Sequence, residues 1–196
     1  MKVFGIDPGS ERTGYGCVET DGRRHRLVIY GTISAKAGDA FPVRLARIHR
    51  ELSALLATCR PDCVAIENVF HANNVRSALK LGHARGVAML AAVEADCLVA
   101  EYTPAEVKRA VVGHGRAEKH QVQQMVKLLL ALDRVPSPHD ASDALAVALC
   151  HAHSAPLGGL ALAVSAAAAR TAPAAADSSR VRLPRTWRQY RPPAHG

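Results

Sequence analysis

Residues 2–34 read KVFGIDPGSERTGYGCVETDGRRHRLVIYGTIS. Short runs rich in β-branched and aromatic residues over 2–7, 13–19 and 26–34 are separated by PGSER and TDGRR, whose Pro, Gly, Asp and Ser favour turns. This spells an antiparallel meander. Beyond it, Leu45, Ile48, Leu52, Leu55 and Leu56 recur at helical spacing with Arg44, Arg47 and Arg50 between them, predicting a helix over 42–60. CVAIE at 63–67 follows a Pro-Asp turn and suits a buried, parallel strand.

The pattern then alternates. A long helix is predicted over 74–95, where Val75, Leu79, Gly82, Gly86, Leu90 and Val93 step by three or four, a stripe that suits either the core or a dimer seam. A strand follows at 98–102. Thr103-Pro104 opens a helix ending near Gly113, GHGRAEK forms a loop, and Val122, Met125, Val126 and Leu129 mark another helix. The last helix, 141–153, is apolar around most of its circumference and so should be buried. The order βββαβαβααα predicts an α/β domain over 1–154, a mixed five-stranded sheet with helices on both faces.

The whole chain has 196 residues, 48% of them apolar, enough for a sizeable core. It has no apolar run of spanning length and starts MKVFGID without the pattern of a secretory leader, so a cytoplasmic protein with no membrane segment is expected. Five cysteines, with no C-x-x-C pair, argue against a disulfide framework and for buried thiols. Cys150, His151 and His153 point to different faces of one helix, which disfavours a zinc site.

The net charge of +8 suggests an anionic partner such as nucleic acid. Residues 155–196 hold six arginines against the single Asp177, a net +5, leaving +3 for residues 1–154. This Ala, Pro, Ser and Arg-rich segment is expected to be a mostly disordered basic tail. It reads either as a solubilising extension or as a phosphate-binding arm, with Trp187 and Tyr190 available to stack on bases.

Four acids end or begin apolar elements: Asp7 closes the first strand, Glu67 the fourth, and Asp140 and Asp143 open the last helix. Each alone has a structural role to hand, as a turn signal, a step into a loop or a helix cap. Together they suggest more, because strands one and four can be neighbours and residues three apart share a helical face. Carboxylates converging in a partly dry cleft repel one another unless a cation compensates them. Oxygen-only ligands select Mg²⁺ or Mn²⁺ over zinc. Two such ions, about 3.5–4 Å apart, can activate water and stabilise the leaving oxygen of a phosphodiester. His139, beside Asp140 and four residues from Asp143, is either a ligand or proton carrier or a surface histidine.

IDPGSERTGYG at 6–16, VAIENVF at 64–70, SALKLGHARG at 77–86, EVKRAVVGHGRAEKHQV at 106–122 and HDASDALAVALCHAH at 139–153 together resemble the RuvC family of bacterial Holliday junction resolvases. The resemblance implies an RNase H-like fold and a homodimeric endonuclease that cuts four-way junction DNA by paired symmetrical nicks. It implies that Asp7, Glu67, Asp140 and Asp143 hold the catalytic ions and that Lys108 and Lys119 act near the scissile phosphate. Some relatives carry a histidine in place of the third acid, where this chain has Asp140.

The resemblance also implies that Phe70 stacks against junction DNA, that Arg76 and Lys80 contact its backbone, and that the long helix forms the dimer seam. A cutting preference of the form (A/T)TT followed by (G/C), and cooperation with the RuvA and RuvB branch-migration proteins, come from the same source. Read without the family, Phe70 is an exposed wedge or an inward anchor, and the two lysines are ordinary helix lysines. GHGRAEK is too short for a nucleotide-binding phosphate loop. Rival readings are an actin-like-fold ATPase, which needs two related domains where this chain has room for one, a non-catalytic DNA-binding module, and an RNase H-like nuclease acting on RNA hybrids or plain duplex.

Overall fold

The computed structural model describes residues 1–36, 38–68 and 74–154; the 155–196 tail and Phe70 lie outside them. Ten elements follow one another: β1 (Lys2–Asp7), β2 (Arg12–Thr20), β3 (His25–Ser34), α1 (Phe41–Cys59), β4 (Cys63–Glu67), α2 (Val75–Glu94), β5 (Leu98–Tyr102), α3 (Pro104–Val112), α4 (Lys119–Leu129) and α5 (His139–Ser154). The sheet order is β3-β2-β1-β4-β5. The first three strands are antiparallel, whereas β4 runs parallel to both β1 and β5. The expected mixed α/β sheet is therefore present, with small differences at element ends: α4 begins at Lys119, inside the stretch read as loop, and α5 two residues early.

Strand alternation sorts the core into two layers. Phe4, Ile6, Val64 and Ile66 point to the face covered by α1 and α2, where they meet Ile48, Leu52, Leu56 and Ala88. Val3 and Ala65, one residue out of step, point to the opposite face, packed by α5 with α3 and α4 through Leu145, Leu149, Val107 and Val126. By the same alternation Asp7 and Glu67 belong to the α5 face. Burial on both faces accounts for β4 reading as an unbroken apolar run up to its terminal acid.

Helix α5 sits unusually close to the strands. A Cβ on Gly5 would overlap the carbonyl oxygen of Ala144, and one on Gly14 would overlap that of Asp140. The two glycines thus form a side-chain-free track in which the helix backbone rests, which is why α5 is buried along almost its whole length. Its C-terminal Cys150, His151 and His153 separate as their helical positions require. His151 Nδ1 lies 2.8 Å from Tyr102 Oη, while His153 Nδ1 donates to the Ala110 carbonyl at 3.0 Å and its Nε2 meets His25 Nε2, also at 3.0 Å. All five cysteines are free and buried. Among the described residues no helix is long and apolar enough to cross a membrane.

In α2 the buried face is Ala84, Ala88, Ala91 and Ala92. Val75, Leu79, Gly82, Gly86 and Leu90 of the predicted stripe are exposed and so are not part of this chain's own core, whereas Val93 at its end is half-buried against it. A Cβ on Gly82 or Gly86 would meet nothing within 4 Å.

The glycine track makes a direct prediction. Gly5→Ala and Gly14→Ala should each cost about 1–3 kcal/mol or more, because the obstacle is backbone that cannot rotate away. Urea unfolding measures this, and a loss below about 0.5 kcal/mol for both would show that α5 does not rest on these positions.

Candidate active site

Asp7 and Glu67 are the last residues of adjacent parallel strands, one position past the Ile6↔Ile66 pairing. Across the sheet, Asp7 pairs with Gly14, and Gly14 is the residue on which the Asp140 backbone rests. The contact that docks the start of α5 therefore also places Asp140 beside Asp7. Asp143, one turn along, faces the same way. The buried Thr13 shapes the turn between β1 and β2: its hydroxyl donates to the Gly9 carbonyl at 2.9 Å.

Two lysines come from the α3–α4 side. Thr103 and Glu106 form a reciprocal capping box that starts α3 and sets Lys108 on its second turn. A second box, Glu118 with Gln121, starts α4 and leaves Lys119 as its first residue. Lys119 Nζ reaches Asp143 Oδ2 at 2.6 Å.

Asp7, Glu67, Asp140, Asp143, Lys108 and Lys119 all line one cleft of about 470 Å³, walled by Leu81, Val107, Val122 and Ala146. All four predicted acids and both lysines thus meet. Arg76 and Lys80 do not line this cleft; both are exposed on α2, where Lys80 Nζ lies 5.9 Å from the centre of the Phe41 ring. Phe70 falls outside the described residues. His139 is also absent from the cleft lining; the Gln123 side-chain amide donates to its Nδ1 at 2.7 Å.

Sequence reading misses Arg12, which lines the cleft with its Nη1 3.5 Å from Asp140 Oδ2. In PGSER it looks like an ordinary turn cation. The signal that could have found it is its place in the turn directly after Asp7.

The electrostatics are those of a site short of positive charge. Burial, then the charges of Glu67 and Asp143, a hydrogen bond with Glu67 and the charge of Asp140 raise the Asp7 carboxyl to about 9. Glu67 is raised as well, mainly by burial and then by Asp143; the Asp7 hydrogen bond, Lys119 and Lys108 pull the other way. For Lys119, burial favours the neutral form, but the hydrogen bond and charge of Asp143, with Asp7 and Asp140 behind them, outweigh it and raise its pKa. Among the described residues, no three His, Cys, Asp or Glu side chains are gathered tightly enough to hold an ion by themselves. The donor set nonetheless suits hard divalent ions: it is all oxygen, it spans one cleft, and two ammonium groups and a guanidinium already stand against its charges.

A mixed five-stranded sheet with acids from two central strand ends and a crossing helix is the RNase H-like arrangement of a nuclease. Comparison with known proteins narrows this. Residues 3–151 match the family described as crossover junction endodeoxyribonuclease RuvC. A RuvC from Geotalea uraniireducens (strain Rf4) is 54% identical over 160 residues, 82% of this chain and 93% of that protein. The Thermus thermophilus RuvC structure superposes with a TM-score of 0.75 at 38% identity, covering 81% of this chain and 97% of that one. The same TM-score, at 35% identity and the same coverage, holds for T. thermophilus RuvC in complex with Holliday junction substrate. The chain belongs to the RuvC family of crossover junction endodeoxyribonucleases.

Crowding of acids carries its own prediction. At neutral pH and without metal, the fold must either hold an extra buried charge or bind a proton that the unfolded chain would release. Asp7→Asn removes both costs while keeping a donor toward Glu67. In chelator this variant should melt above the unsubstituted protein, by about 2–4 °C for each kcal/mol relieved; an equal or lower melting temperature would contradict the crowding.

Proposed function

We propose that this chain is a structure-selective endodeoxyribonuclease that resolves four-way DNA junctions by paired, symmetrical nicks in recombination and repair. The observation that carries the reading is the meeting of Asp7, Glu67, Asp140 and Asp143 with Lys108 and Lys119 in one cleft, in a chain whose relative was solved with Holliday junction substrate. The acids would hold Mg²⁺ or Mn²⁺, two ions in each site. Bound there, the ions supply the chemistry of activating water and stabilising the leaving oxygen.

The residues of the chain do the remaining work. The four carboxylates fix the positions of charge at the ends of β1 and β4 and the start of α5, and Leu81, Val107, Val122 and Ala146 form the apolar wall of the cleft. Lys119, held on Asp143 in the free protein, is placed to turn its ammonium to the non-bridging phosphate oxygens, where negative charge grows during displacement. Lys108 supplies a second positive charge at the same end. Phe70, which falls outside the described residues, and Arg76 and Lys80, exposed on α2, are proposed as further DNA contacts.

A junction has approximate two-fold symmetry, so paired cuts follow if two copies of the chain present two equivalent sites. The exposed stripe of α2 supports a homodimer there. Its Val75, Leu79 and Leu90 are at least half exposed, and Gly82 and Gly86 between them leave room for another helix. Partnership with RuvA and RuvB and a cytoplasmic setting complete the reading.

One assay decides among substrates: labelled four-way junction, linear duplex and RNA–DNA hybrid, each with Mg²⁺, Mn²⁺ or chelator. Symmetrical junction nicks that need a divalent ion and vanish in Asp7→Asn, with junction binding retained, are expected. Equal cutting of linear duplex or hybrid would favour an RNase H-like nuclease of other specificity. For the dimer, Leu79→Lys should move the sedimentation coefficient to that of a monomer and replace paired nicks by single ones; an unchanged dimer would place the seam elsewhere.

A further inference from the structure

Arg12 opens β2 at the end of the turn that follows Asp7. It lines the acidic cleft and also a neighbouring cleft of about 620 Å³, formed by Gly9, Ser10, Glu11, Ser34, Ala35 and Asp140. Both clefts include the Arg12–Asp140 pair, so that pair stands on the boundary between them. Arg12 is the single cationic side chain among the residues lining the second cleft.

The pair is loose. Nη1 and Oδ2 are 3.5 Å apart, and the two side chains are 55% and 33% exposed. Water screens such a contact, so little free energy holds the guanidinium on Asp140. Besides Asp140, the acid in the second cleft is Glu11, which is exposed and would repel an anion. A divalent ion on Asp140 would cancel the attraction that keeps Arg12 there. The freed guanidinium, with its planar fork of donors, suits the paired oxygens of a phosphodiester.

We propose that Arg12 is a backbone-phosphate contact that exchanges Asp140 for DNA when the ion binds, and that the second cleft is the subsite for the strand next to the scissile phosphate. This rests on the nuclease reading of the four acids. One side chain then has two opposite effects. Without DNA it competes with the ion for Asp140, and with the ion present it holds the strand.

Arg12→Ala separates these effects without reading turnover. On the DNA-free protein, Mn²⁺ binding followed by electron paramagnetic resonance should tighten. Junction binding followed by anisotropy in Ca²⁺, with the DNA recovered uncut, should weaken about tenfold, the scale of one lost charged hydrogen bond. The slope of log K against log salt should become shallower by about 0.9. In chelator, where Arg12 stays on Asp140, the substitution should change junction affinity much less. Arg12→Lys keeps the charge and should restore the salt slope, and Glu11→Gln should tighten junction binding in Ca²⁺.

Thermal melts check that each variant folds, and Arg12→Gln, which keeps most of the side-chain length, replaces Arg12→Ala if the latter does not. Weaker or unchanged Mn²⁺ binding, or a junction affinity that falls equally with and without the ion, overturns the exchange. If the unsubstituted protein cuts junctions while Arg12 variants bind both ligands normally, this inference fails and the nuclease reading stands; if the unsubstituted protein cuts no junction, the nuclease reading fails first.

Discussion

Helix α5 lies on the backbone of β1 and β2 where Gly5 and Gly14 present no side chain, and the geometry of the acids follows from that contact. A helix normally stands off a sheet by the thickness of the side chains between them. Here Ala144 and the Asp140 carbonyl occupy the space a Cβ would fill, so the first turn of the helix comes down beside the last residue of β1. With ordinary side chains at both glycines, Asp140 and Asp143 would be displaced from Asp7 and Glu67. Close packing and the site are thus one feature of the fold.

The cost of this closeness is electrostatic. Four carboxylates share the cleft with Lys108, Lys119 and Arg12, and Asp7 is pushed to about 9 chiefly by its own burial. The apolar layers on either side of the sheet hold the acids together against their repulsion: Leu145 and Leu149 on the α5 side, Phe4 and Ile66 on the far face, all fully buried. A site strained in this way favours whatever brings positive charge, which is the physical sense in which the fold is prepared for a cation.

Most of the frame is legible in the chain. The strands can be read because β1 and β4 are short apolar runs stopped by an acid, and α1 because its leucines keep a 3.6-residue period. Asp7 and Glu67 stand out for the same reason, since a charge at the end of a buried strand is costly unless something compensates it. The α2 stripe stays ambiguous in sequence: Val75, Leu79 and Leu90 have a core-like period, and only the alanines that fill the opposite face show which side is buried. Gly5 and Gly14 show no role in the sequence, because a glycine's use in close approach depends on a helix more than a hundred residues away. Arg12 is silent for the same kind of reason, its partner being 128 residues distant.

The two ion pairs in the cleft show how one charge pattern can do different jobs. Lys119 meets Asp143 at 2.6 Å, from the first residue of a capped helix that fixes its backbone. Arg12 meets Asp140 at 3.5 Å from the edge of a turn; the two cations are about equally exposed, so it is distance that distinguishes the pairs. The closer pair has the stronger interaction, so Lys119 parts from its carboxylate less readily than Arg12 does. The looser pair can part at little cost and reach into the neighbouring cleft. On the proposed reading, the difference between the two pairs suits Lys119 to the reacting phosphate and Arg12 to the strand beside it.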